Sequence, residues 1–348
     1  MEVINKIPLK NNRNHLKTTD IIFVSLHVNC VIKIVFKTRI ACFFVFISLI
    51  SWAQKSDSSL YAFRVAEQEL LNLHNAAFYS RVDAEKIEAN KKMLAVWDGI
   101  VNNPKILNYS FDGLKKDVAI LSPKDKKFKL ITWNIARNDG THAFFGYLLV
   151  NNSKRIKKGL FKYEVVESYE YFKLLDRSAL VKSPESYIGT PDKWFGMIYT
   201  SLIECDGYYT LIGWDGNDKI TQRKFIDALY FKSDGSPVFG KDIFKFPRKN
   251  PKRLMFEWSS EISMSVKYDE KRNQIVYSHL GPNKEGDLLE GQFQYYGPDG
   301  SYDALELRKD KWVIVEDVDA RGEKNKNDGA EKPDAKKHKK IMPGYKPK

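Results

Sequence analysis

The chain has 348 residues, 43% of them hydrophobic and 29% charged, with a formal net charge of +13 at pH 7. This composition describes a globular protein able to bury a core and excludes a chain that is disordered throughout. The charge suggests nucleic acid until it is located: residues 1–53 carry 7 Lys+Arg against 2 Asp+Glu, residues 321–348 carry 10 against 4, and the stretch between is left at +2. Nucleic-acid recognition needs basic charge spread over a folded face, so no nucleic-acid partner is expected.

Lys37-Thr38-Arg39 forms a short basic region before the apolar run Ile40–Ile50, and Ser51-Trp52-Ala53 then supplies a small-x-small site ahead of Gln54. That order is a signal peptide, about residues 37–53, within a presequence of residues 1–53. The run is shorter than the ~20 apolar residues that a spanning helix needs. An uncleaved inner-membrane anchor, helped by the second apolar run Ile21–Val28, is the competing reading. Cys42 is no lipobox cysteine, because the apolar run follows it. Signal peptides seldom sit behind such a leader, so Met1–Ile34 reads as an over-extended start, with Val35 as the initiator from a GTG codon. The expected location is outside the cytoplasm: periplasmic, outer-membrane-associated or secreted. Cys30 and Cys42 fall in the presequence, which leaves Cys205 alone and no internal disulfide.

Residues 54–127 read as a helical region. Leu60, Phe63, Leu70, Leu71 and Leu73 recur near helical spacing. Ser80-Arg81-Val82-Asp83 has the form of a capping box opening a second helix, with Ile87, Leu94 and Trp97 on its apolar side. His74 has no partner at ligand spacing and reads as structural.

From Phe128 to Val318 the pattern is of strands and turns. Asn138-Asp139-Gly140, Asp206-Gly207, Asp234-Gly235 and Asp299-Gly300 each punctuate a pair of apolar runs. Asp206-Gly207 is the clearest, and a type I′ turn with two positive φ angles is expected there. Glu164–Leu180 reads as one helix interrupting the sheet. The fold class is therefore α+β: an N-terminal helical hairpin, then a large antiparallel β-domain folded as a sandwich, barrel or partial propeller. Residues 319–348 are a basic tail whose composition builds no core.

Two segments echo each other. Ile131-Thr132-Trp133-Asn134 ahead of Asn138-Asp139-Gly140 resembles Ile212-Gly213-Trp214-Asp215 ahead of Gly216-Asn217-Asp218. Two copies do not make a repeat architecture.

Dinucleotide, P-loop, zincin, CxxC and nucleophile-elbow signatures are absent, and the scattered histidines give no zinc spacing, so no cofactor and no metal are expected. Asp215-Gly216-Asn217-Asp218 starts like a calcium loop, but Ile220 and Ile226 occupy the positions where an EF-hand needs Gly and Glu. An Asx-type turn explains it more simply. Trp214, Asp215, Asn217 and Asp218 are the candidate ligand-binding residues, Trp214 because it ends a strand beside a polar turn. Asp227 lies in an apolar strand with Phe225, Leu229 and Phe231 on its own face, where a carboxylate needs a partner such as Arg223 or Arg253 or a raised pKa. Glu257 is the second acid, and with Asp227 it makes a speculative catalytic pair of the kind glycoside hydrolysis uses.

The run GWDGND, KFIDALYF, GSPVFG and RLMFEWS between Gly213 and Ser259 resembles a family of uncharacterised exported proteins of Bacteroidota. The resemblance implies export and a shared fold, and it carries over no catalytic residue. The reading is an exported cell-envelope protein of non-catalytic binding or structural role, meeting an envelope protein or glycan and touching membrane only through its export signal. A glycan hydrolase using Asp227 and Glu257 is the alternative.

Overall fold

The computed structural model describes residues 58–320 except 160, 248–249 and 283–288. The expected presequence therefore lies outside the described residues, as does all but the first two positions of the tail. The described residues from Ala62 onward belong to one structural unit.

Two helices come first, α1 (residues 58–79) and α2 (Asp83–Ile100). Phe63, Ala66, Leu70 and Ala77 bury one stripe of α1. On α2 the buried stripe is Lys86, Ala89, Asn90, Met93 and Trp97, a 3–4 spacing. Ile87, expected inside, is 55% exposed, because the stripe runs one position earlier and two polar residues hold it. The capping box is also displaced. α2 starts at Asp83 with Val82 as N-cap, so Ser80 lies ahead of the cap and accepts the Val82 amide instead.

Three sheets and a two-stranded ribbon follow. The first sheet has the order β1 (Ala119–Leu121), β2 (Phe128–Ala136), β3 (His142–Asn151), β6 (Tyr169–Leu175). The ribbon β4 (Lys154–Lys157) and β5 (Tyr163–Val166) lies between β3 and β6 in sequence. Residues 164–180, expected as a helix, instead hold the end of β5, all of β6 and one 3₁₀ turn at Ser178–Leu180. Tyr169 to Leu175 pairs residue for residue with β3, and that ladder outweighs the local helical spacing.

The second sheet runs β7 (Ile198–Cys205), β8 (Tyr208–Asp215), β9 (Thr221–Phe231), β10 (Pro237–Phe239), with β12 (Leu254–Ser259) on the same outer edge of β9. β10 takes residues 229–231 of that edge and β12 takes 221–226. Cys205 pairs with Tyr208 across the expected two-residue hairpin, but only Gly207 of the loop has a positive φ, so the turn is not type I′.

The third sheet runs β13 (Val266–Asp269), β14 (Gln274–Pro282), β15 (Tyr296–Arg308), β16 (Lys311–Val315), with β11 (Phe244–Lys245) parallel to β16. Asp299-Gly300, expected to turn a hairpin, is a bulge within the continuous strand β15. Leu280 pairs with Pro298 on one side and Ser278 with Tyr302 on the other, so both arms keep the same partner strand.

Alternation along the strands sets the stacking. Ile131, Trp133, Tyr147 and Leu149 face the helices with Phe63, Leu70, Met93 and Trp97. Phe128, Leu130, Phe144 and Leu148 meet Leu211, Phe225, Leu229 and Phe239 of the second sheet. Ile212, Ile226, Phe256 and Trp258 meet Ile275, Tyr277, Leu305 and Trp312 of the third. The order is helices, sheet, sheet, sheet, and each fully buried aromatic contributes about 2–3 kcal/mol of apolar transfer. Buried polar groups join the layers: Asn90 accepts from the Trp133 indole at 2.7 Å, and Trp312 donates to Thr210 at 2.8 Å.

Candidate functional site

The two echoing segments meet in space. The β2–β3 turn carries Asn138-Asp139-Gly140, the β8–β9 turn carries Gly216-Asn217-Asp218, and the turns lie against each other. Gly140 has φ +91°, and a Cβ there would stand 2.9 Å from the Lys219 backbone nitrogen. On Gly216 a Cβ would stand 2.1 Å from His142 Nε2, so the imidazole packs flat against bare backbone. His142 Nδ1 is 2.6 Å from the Asn134 side-chain amide, and its ring meets the edge of Trp214 at 5.3 Å. Burial holds the His142 pKa below its ordinary value, against an opposing pull from Asp139.

The four predicted binding residues gather at this turn pair. Trp214 is half-buried and donates to Gln222 Oε1 at 3.1 Å. Asp215 is buried and accepts the Asn217 amide at 2.8 Å. Asp218 accepts the amides of Ile220 and Thr221 at 2.7 and 2.8 Å. These are two successive Asx turns, the geometry of short polar side chains closing on their own backbone. Asn217 takes φ +49° and donates to the Thr221 hydroxyl at 2.6 Å. Among the described residues no group of three or more His, Cys, Asp or Glu is arranged to hold a metal ion.

Asp215 pairs across the ladder with Arg223, and Arg223 with Glu257, so an acid, a base and an acid line up over three adjacent strands. The arginine binds Glu257, its Nε 2.9 Å from Oε2, and Glu257 also accepts from Thr221 at 2.8 Å. Asp215 is left with less. Burial pushes its pKa up to about 6, and the charges of Asp176 and Glu257 push the same way, against the Asn217 amide and Arg223. A carboxylate kept at such a cost marks a functional position more often than an ordinary surface acid does.

The two acids of the hydrolase alternative share the face turned toward the first sheet, but neither is open. Asp227 is fully buried; its Oδ2 receives Arg253 at 2.8 Å and the Tyr199 hydroxyl at 2.9 Å, while Oδ1 takes the Ala228 amide. Arg253 is equally buried, lies over the Phe195 ring and donates to the Pro184 carbonyl. Glu257 is tied to Arg223. General acid–base work needs at least one carboxyl reaching substrate and water; Asp227 is sealed from solvent, and Glu257, partly exposed, is engaged by Arg223 and Thr221.

His142 and Asn134 were missed by sequence reasoning. The only signal for them was the echo itself, which placed Asn134 in register with Asp215. Cys205 is half-buried with its pKa raised by burial, in keeping with an inert thiol.

Comparison with protein-family models, curated proteins and solved structures finds no match to the chain.

Proposed function

We propose that the chain is an exported envelope protein that acts by binding, with the paired turns around Trp214 as its contact surface. The observation that carries the choice of binding over catalysis is that Asp227 and Glu257 are each committed to an arginine. What the turn pair offers instead is a half-buried indole, an imidazole held by an amide, and a desolvated carboxyl. Such a set suits a polar ligand with an apolar face, a sugar ring or a protein side chain, because an aromatic edge and hydrogen-bonding groups serve both. Export rests on the basic, apolar and small-x-small order of residues 37–53.

Two measurements test this. The intact mass of chain recovered from the producing cell is expected to start at Gln54; a mass that retains residues 37–53 gives the anchored reading instead. Envelope glycan and protein fractions should be retained by the wild-type chain and lost by Trp214→Ala. Equal retention by both proteins removes the turn pair as the contact surface.

A further inference from the structure

The ribbon β4–β5 rises from the end of the β3–β6 pair, where Asn152 binds the Ser168 carbonyl, and among the described residues all eight of its strand positions are exposed. Each of its strands is about 13 Å long at ~3.3 Å per residue. Residues 154–166 hold five cations, Lys154, Arg155, Lys157, Lys158 and Lys162, against one acid, Glu164. The whole stretch between residues 54 and 320 has a net charge of only +2, so this ribbon is a local concentration of charge.

The two faces differ. Register puts Arg155 opposite Val165 and Lys157 opposite Tyr163 on one face, with Lys154, Ile156, Glu164 and Val166 on the other. Glu164 is engaged by Lys158 at 3.3 Å, so the first face has cations and rings and no acid. Arg155 lies 4.2 Å from the Tyr163 ring centre. At the tip Phe161 is 90% exposed, and Val165 and Tyr163 are 60% and 50% exposed.

We propose that this ribbon docks the protein on an anionic phospholipid surface, with Phe161 entering the headgroup region and Arg155 and Lys157 meeting lipid phosphates. The sequence reading confined membrane contact to the export signal; the ribbon adds a second contact, independent of the turn pair. Charge complementarity selects the occupant. The basic tail, with 10 Lys+Arg against 4 Asp+Glu over residues 321–348, is repelled by the same face. A second copy would set cations against cations. A nucleic acid or a sulfated polymer would neutralise the cations but leave an apolar tip in water. A bilayer with acidic lipids takes both, because aromatic rings settle at the interface and cationic side chains extend past them to the phosphates.

The test uses the full chain throughout, so that residues 1–57 and the tail are common to every sample. Wild type, R155E/K157E and F161W are titrated with phosphatidylcholine vesicles with and without phosphatidylglycerol, and with vesicles carrying brominated acyl chains. Wild type should bind the phosphatidylglycerol vesicles more tightly, and R155E/K157E should bind them about tenfold more weakly or worse. The added indole of F161W should be quenched by brominated lipid beyond the quenching seen in wild type. The ribbon is solvent-exposed, so circular dichroism and the melting temperature should not change in either variant. Unchanged vesicle affinity in R155E/K157E together with no extra quenching in F161W overturns the proposal and places membrane contact elsewhere. Binding to heparin or duplex DNA, but not to vesicles, overturns it in favour of a polyanion. Self-association abolished by R155E/K157E overturns it in favour of a second copy.

Discussion

Asp227 and Arg253 form an ion pair 2.8 Å long between two side chains with no solvent exposure, Asp227 lying on the face of the second sheet turned toward the first. Tyr199 completes the cluster by donating to the same carboxylate oxygen, and Trp194 donates to Tyr199 at 3.3 Å. A pair in this position contributes little net stability while intact and costs much when halved, because the remaining charge is buried without a partner. Asp227→Ala or Arg253→Met should therefore destabilise the fold by about 3–5 kcal/mol. Replacing both with apolar residues should recover most of that loss. Urea denaturation of the two single variants and the double variant measures this, and equal losses that simply add would show that the two residues are not coupled.

The contact between the two turns can be read with a small cycle. Gly216→Ala places a methyl against His142 and should cost about 1–3 kcal/mol. In a His142→Ala background the same change should cost less than half as much. Gly140→Ala should behave differently, since its φ is +91° and a Cβ there meets the Lys219 backbone nitrogen at 2.9 Å as well as the Lys219 Cγ; Lys219→Ala should give only partial relief. Melting curves of these six proteins, with wild type, suffice.

Asp215 gives a pH dependence of defined sign. Its pKa rises from 3.8 in the unfolded chain to about 6 in the fold, so the native state holds the proton more tightly. Its contribution to stability is then most favourable below pH 3.8 and falls as pH rises to about 6. Asp215→Asn keeps an acceptor for the Asn217 amide and removes the charge. It should flatten stability across that window and be more stable than wild type at pH 7 by up to about 2–3 kcal/mol. Denaturation midpoints at pH 4, 5, 6 and 7 check it.

Lys129 gives the opposite slope at higher pH. Burial lowers its pKa to about 8, while its amine donates to the carbonyls of Ile106 and Tyr109. The unfolded chain binds the proton more tightly, so this residue's contribution should rise with pH from about 8 toward 10.5. Lys129→Met should abolish the rise; at pH 7 the two stranded carbonyls cost about 1–3 kcal/mol, and removal of the desolvated charge offsets part of that cost. Stability followed from pH 7.5 to 9.5 separates the slope from the loss.

The antiparallel hairpins were legible because period-2 alternation and Asp-Gly or Asn-Asp-Gly turns are local signals. Asp227's arginine was legible for a general reason: a buried acid among Phe225, Leu229 and Phe231 needs a counter-charge. Three features were not readable, each because a distant partner decides. Residues 164–180 carry a helical spacing, yet β3 offers Tyr169–Leu175 a complete ladder. Asp299-Gly300 has turn chemistry, yet β14 lies along both arms and turns it into a bulge. His142 has no sequence neighbour of interest and acquires its place only when the second turn arrives 74 residues later at Gly216.

The parallel pairing of Phe244 and Lys245 with Trp312 and Val313 bears on the order of assembly. The first two sheets use nothing beyond Ser259, so a chain emerging from synthesis can complete them early. The third sheet stays open on the side of Ile243 and Thr210 until Trp312 appears, and Trp312 fastens to both. The last of the described strands, β16, is therefore the latch, and contacts of such long sequence separation make closure slow. A chain ending at Arg308 should hold two sheets and leave the third unsealed, with Tyr208 and Ile275 open to water.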